Sequence, residues 1–467
     1  MILRPSNLAA RVAVAALLAL PAACDRATPE VREFRGSYPE HASPTGVVRE
    51  FDITAAPARV DVAGRGLEVW SYNGQIPGPT LRLRLGETLR VRFTNRIDQP
   101  TTIHWHGVRV PNAMDGVPHV TQPPVMPGEG FVYEFTPKDA GTFWFHPHLR
   151  SSEQVERGLF GVLVVDDAEP LPYSKDVVWV LDDWRLASDG QIDPNFNTRH
   201  DLVHDGRWGN VITVNGQVAP SLAVEPGERI RLRLVNVANG RVFEPDFSGI
   251  GARVIAVDGM TTAEPLAPDG FRLAPGNRLD LDLVVPAALA GKTLPIENLY
   301  ARTPAPIASL VVGTGSVATP QFAPPTAPRV PAWKGAETIA PRAEYRLNVR
   351  KGGPFGLEWT INDQAFDHDH DTTGHEIETL PIGEFSVLRF TNESFRLHPM
   401  HIHGTFFKLL ARNGVRVDEP FWRDTVLLER KDVVDVGLVP VDPGRWMLHC
   451  HILEHAESGM MTLVEVR

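Results

Sequence analysis

The chain has 467 residues, 43% hydrophobic and 22% charged, with 46 Lys and Arg against 57 Asp and Glu and a formal net charge of −11. This is globular composition with room for two to four domains, which excludes a disordered or collagen-like chain. The acidic balance, without a long basic run, argues against nucleic acid as a partner.

The apolar run from Val12 to Ala23 follows Arg4 and Arg11. It is shorter than the ~20 residues that span a bilayer and is expected to be an export signal over residues 1–24. Leu20-Pro21-Ala22-Ala23-Cys24 is similar to a bacterial lipoprotein cleavage site, which would leave Cys24 lipidated; cleavage near Ala23 would instead release a soluble protein. The expectation is an exported protein, periplasmic or at the cell envelope.

The 41 Pro and 39 Gly are spread along the body, which points to many turns and short strands. Three segments repeat one pattern. Asn73-Gly74-Gln75 leads to Gly86-Glu87 and an alternating run ending at Asn95; Asn215-Gly216-Gln217 leads to Gly227-Glu228 and Asn236; Asn362-Asp363-Gln364 leads to Gly383-Glu384 and Asn392. Alternation after a Gly turn is a half-buried strand, so three copies predict an all-β protein of three similar sandwich domains. These are placed at 45–166, 167–315 and 336–467, with a Pro-rich linker at 316–335.

Of 17 histidines, ten fall in four clusters. His104-Trp105-His106 and His146-Pro147-His148 lie in the first domain; His398-Pro399-Met400-His401-Ile402-His403 and His449-Cys450-His451, continuing to His455 and Met460, lie in the third. On a strand, residues i and i+2 share a face, so each His-x-His pair presents two imidazoles together. Four pairs from the two terminal domains suit a multinuclear metal site in the seam between them. Cys450 would point to the opposite face. With His398, His455 and a weak thioether from Met460 it completes the donor set of a blue-copper electron-transfer site. The middle domain has only His200 and His204, outside any such motif, and is expected to carry no metal.

These motifs resemble those of the three-domain multicopper oxidases, the family of laccases and bacterial copper-resistance oxidases. The resemblance implies three consecutive cupredoxin-like Greek-key β-sandwich domains and four copper ions: one type 1, one type 2 and two type 3. By motif position, His398, Cys450, His455 and Met460 correspond to type 1 ligands. His104 and His401 correspond to type 2 ligands, and His106, His146, His148, His403, His449 and His451 to type 3 ligands. The implied partners are O2, reduced to water with four electrons, and a small reducing substrate delivering one electron at a time near His455 or His398; a monomer is expected. Asp115, in Met114-Asp115-Gly116, matches a family acid and is assigned a proton-relay or ligand-orienting role. One departure is that many members of that family carry an acid directly after the second type 1 histidine, where this chain has Ala456 and then Glu457.

The third repeat is longer: Asn362 to Asn392 spans 30 positions, against 22 and 21 in the others. The extra length holds Asp367-His368-Asp369-His370-Asp371 and His375-Glu376, an alternation that suits a polar loop or a cation site. The eight Met are scattered. The expected activity is therefore laccase-like oxidation of phenols and aromatic amines, with a metallo-oxidase of cuprous, ferrous or manganous ions as the alternative.

Overall fold

The computed structural model describes residues 43–326, 333, 335–367 and 377–467. The export segment with Cys24, and all of the third-repeat insertion except Asp367, lie outside the described residues.

Three β-sandwiches follow one another. In the first, a sheet of Arg65–Tyr72, Val48–Val62, Thr88–Asn95 and Gly130–Phe135 faces one of Thr80–Arg84, Gly161–Asp166, Gly141–His146 and His104–His106. The second pairs a six-stranded with a three-stranded sheet, and the third a six-stranded with a five-stranded sheet.

The sequence repeat is a structural repeat. Each alternating strand (Thr88–Asn95, Arg229–Asn236, Ser386–Asn392) runs parallel to the first strand of its domain and antiparallel to a later one. The recurring asparagines have a shared backbone function. Asn73, Asn215 and Asn362 all adopt positive φ, which Asn tolerates well. Each accepts from one backbone N–H of the first strand and donates to a carbonyl two residues earlier. Asn95, Asn236 and Asn392 each donate to two loop carbonyls and accept from the N–H two residues on. These bonds satisfy backbone groups that the loops would otherwise bury unpaired.

One apolar core runs through the first and third domains, from Ile53 and Trp105 to Trp446 and Met460. Burying a side chain such as Phe145 contributes about 1.5–3 kcal/mol, and this core is continuous between the two domains. The second domain has its own core, around Leu232 and Leu281.

Candidate metal centre

Strand register brings the four clusters together. His104 stands opposite His146 in the first domain, and His401 opposite His449 in the third. Opposed residues of an antiparallel pair have Cβ atoms about 5 Å apart. Across the seam, His104 stacks on His403 and His106 on His401, each with ring centroids 3.8 Å apart. His148 Nε2 lies 3.5 Å from His449 Nε2, and His106 Nδ1 lies 3.1 Å from His451 Nε2. All eight paired histidines are therefore in one buried cluster.

Backbone carbonyls select the ring tautomers. Nδ1–H of His104, His146, His401 and His449 donates to the carbonyls of Asp115, Pro147, Asp424 and Cys450 at 2.7–2.9 Å. A carbonyl only accepts, so each Nε2 keeps its lone pair, as a metal ligand needs. Nε2 of His104, His106, His146 and His401 and Nδ1 of His451 are buried without a hydrogen-bond partner. An unmet buried polar group costs about 1–3 kcal/mol, and five in one cluster fit a set of bound cations. Ligand atoms of His104, His401 and His403, of His104, His106 and His146, and of His148, His403 and His449 lie within 4.8 Å of one another. Burial and the neighbouring imidazoles hold His106, His146, His403 and His451 well below the ordinary histidine range, so they are neutral at neutral pH.

On the other side of the Gly444–Cys450 strand, Cys450 Sγ lies 3.6 Å from His398 Nδ1 and 3.9 Å from His455 Nδ1. The two Nδ1 atoms are 3.3 Å apart. His398 Nε2 pairs with Ser394 Oγ and His455 Nε2–H donates to the His204 carbonyl, so both rings turn Nδ1 towards the sulfur. Met460 is fully buried and its carbonyl accepts from Cys450 N–H. Burial pushes the Cys450 thiol up and His455 down to about 3. A neutral pair of imidazoles around a thiol that a cation would deprotonate suits a soft metal.

Three parts of the chain, 55–170, 175–288 and 339–467, each match a model of the multicopper oxidase family. The chain belongs to that family. It is 30% identical to multicopper oxidase MmcO of Mycobacterium tuberculosis, over 88% of this chain and 86% of that one. It is 26% identical to a copper resistance protein A homolog of Pseudomonas syringae pv. tomato, over 92% and 94%. The crystal structure of a multi-copper oxidase from Pseudomonas thermotolerans has 35% identity and a TM-score of 0.80, covering 91% of this chain and all of that one. The protein is thus a copper-dependent oxidoreductase with O2 as acceptor, built of three cupredoxin-like domains.

Around its histidines the oxidase places residues from all three domains. Asp115 Oδ2 accepts from His403 Nδ1–H at 2.8 Å while the Asp115 carbonyl takes His104, so one residue orients a ring from each terminal domain. Its Oδ1 lies 3.3 Å from His104 Nδ1. Sequence reasoning missed Asp424 and Arg278. The Asp424 carboxylate lies 3.5 Å from His106 Nε2 and is clamped by the fully buried Arg278 guanidinium of the second domain at 2.6 and 3.0 Å. Burial alone would raise the Asp424 carboxyl; Arg278 and His401 hold it below the usual range. Gly276, at φ +89°, brings a turn of the second domain onto the cluster; a Cβ there would sit 2.9 Å from His106 and 3.0 Å from His451. Glu454, the acid before His455, points into the second domain, accepting from Arg207 N–H and Asn239 Nδ2–H. Burial raises it to about 7.

Proposed function

We propose that the protein is a laccase-like oxidase, taking one electron at a time from phenols or aromatic amines and reducing O2 to water. His398, Cys450, His455 and Met460 would hold a type 1 copper. His104 and His401 would hold a type 2 copper, and His106, His146, His148, His403, His449 and His451 a type 3 pair. Bound copper would supply one-electron acceptance at the thiolate and, over all four ions together, storage of the four electrons that O2 needs.

The observation that carries this reading is the placement of Cys450. Its thiol faces one site while His449 and His451, joined to it by single peptide links, face the other. The chain itself thereby connects the two by a few covalent bonds. Asp115 is suited to hold a proton at its carboxylate beside His104 and His403. The apolar leader supports export, and the self-contained core of three domains supports a monomer.

An aromatic donor is supported by a cleft of about 580 Å³ beside the Leu453–Glu457 helix, which carries His455. Leu149, Pro354, Phe355 and Phe366 give it an apolar wall; Glu358 and Glu457 give it carboxylates. Phe355 is exposed, a flat surface for an aromatic donor. The test is oxygen uptake by the copper-loaded enzyme, comparing a dimethoxyphenol with ferrous ion. Turnover of the phenol is expected, and Phe355→Ala should raise its KM about 3–10-fold, the loss of one aromatic contact of about 0.5–1.5 kcal/mol. An unchanged KM would remove this cleft from the donor site. The name of the Pseudomonas syringae relative supports a metal-ion donor as the second reading.

A further inference from the structure

The second domain closes over the Cys450 site with one short segment, residues 202–207, at the end of the helix Arg199–Val203. The Leu202 carbonyl accepts from Trp359 Nε1–H at 2.9 Å and the His204 carbonyl from His455 Nε2–H at 2.8 Å. Arg207 N–H donates to Glu454 Oε2 at 3.0 Å. At Gly206, φ +81°, a Cβ would sit 2.6 Å from Ile452 and 2.7 Å from Glu454, so the segment lies against the third domain with no room for a side chain. Asp205 is half-buried among these contacts. Its Oδ1 accepts from Leu397 N–H at 3.0 Å, a bond between residues 192 positions apart. Leu397 precedes His398 and ends a tight turn. In that turn Ser394 Oγ–H donates to Asn392 Oδ1, while its oxygen accepts from Arg396 N–H at 3.1 Å and from His398 Nε2–H at 2.8 Å. Asp205 therefore holds, from another domain, the turn that aims the His398 ring.

We propose that Asp205 is a positioning and potential-setting residue of the Cys450 site: its Oδ1 pins the turn that aims His398, and its negative charge favours the oxidised, more positive state of the metal held there. The proposal rests on the reading of His398, Cys450 and His455 as the electron-accepting copper site. Copper loses one positive charge when it accepts an electron, so a fixed anion nearby makes that step harder, and more so where burial lowers the dielectric. The charge is felt at the sulfur: after burial and Glu454, Asp205 is among the groups that raise the Cys450 thiol. A site held at lower potential takes electrons only from readily oxidised donors. The second domain, which supplies none of the donor atoms, would thereby set how strong a reductant the enzyme requires.

Two variants separate the charge from the hydrogen bond. Asp205→Asn keeps an oxygen for Leu397 N–H and removes the charge; Asp205→Ala removes both. The midpoint potential of the blue absorption is measured by redox titration of the copper-loaded enzyme. Exchange of the Leu397 amide is followed in the full chain with and without copper. In Asp205→Asn the reduction equilibrium should shift about 10-fold towards the reduced state, which is about 59 mV for one electron, with wild-type amide exchange and an unchanged blue band. Asp205→Ala should show at least the same rise in potential, Leu397 exchange faster by about 10-fold or more, and an altered blue band as the His398 ring loosens. A wild-type or lowered potential in Asp205→Asn would overturn the proposal, as would wild-type Leu397 exchange in Asp205→Ala. A wild-type enzyme that turns over without a blue absorption would overturn the copper reading beneath it, and that failure is distinct, because the amide exchange of the copper-free chain would still report the bond to Leu397.

Discussion

The histidine cluster and the Cys450 site share one strand but are enclosed differently. In the cluster, first and third domains supply all eight rings, and the second domain contributes only support, through Gly276 and the Arg278–Asp424 pair. At Cys450 the third domain supplies the donors and the second domain covers them, through the His204 carbonyl on His455 and the Leu202 carbonyl on Trp359, whose ring lies 4.2 Å from that of His455. The difference separates two requirements. Under the proposed function, the electron-storing site would have its many donors fixed in a dry seam, and the electron-accepting site few donors under a cover supplied by another domain.

Four experiments would break or sharpen this contrast. Cys450→Ser should abolish the blue absorption and lower turnover by about 10³-fold or more, while copper in the histidine cluster remains measurable by its metal content. Retained turnover would mean that the two sites are not in series. The second concerns acid. In the copper-free protein, His106, His146, His403 and His451 are held well below 6.5 and His455 at about 3. Above about 6.5 the folded and unfolded chains are both neutral at these rings. As pH falls below that, only the unfolded chain takes up the protons, so stability should drop progressively. Thermal unfolding of copper-free protein between pH 7.5 and pH 5 measures this, and copper should suppress it.

The third change, Arg278→Met, leaves Asp424 and Asp258 buried without their cation and should cost about 3–5 kcal/mol, read as a fall in Tm. If the second domain only props the cluster, copper content should fall with stability rather than turnover per copper. The mildest is Asp115→Asn. It keeps the shape but removes the charge on His403, and should lower turnover about 10–100-fold, with the larger loss at high pH where protons are scarce. An unaltered pH profile would reduce Asp115 to a positioning residue.

Much of this was legible in the sequence. Strand alternation is local, so His104/His106 and His449/His451 declare their shared faces, and the placement of Cys450 on the other face needs nothing more than the period of two. The repeated Gly-Glu strands likewise marked three sandwiches, because a turn followed by alternation is a short-range signal. Glu454 was not legible. It lies on a short helix rather than a strand, and its direction follows from Arg207 and Asn239, more than two hundred residues earlier.

The sequence by itself determined the fold class, the candidate metal donors and the way Cys450 divides two clusters of side chains, because each depends on residues a few positions apart. Only the tertiary structure decided which rings stack across the seam, that Arg278 holds Asp424, and that His204 caps His455. Those contacts join residues from 146 to 299 positions apart, where no spacing along the chain records who will meet.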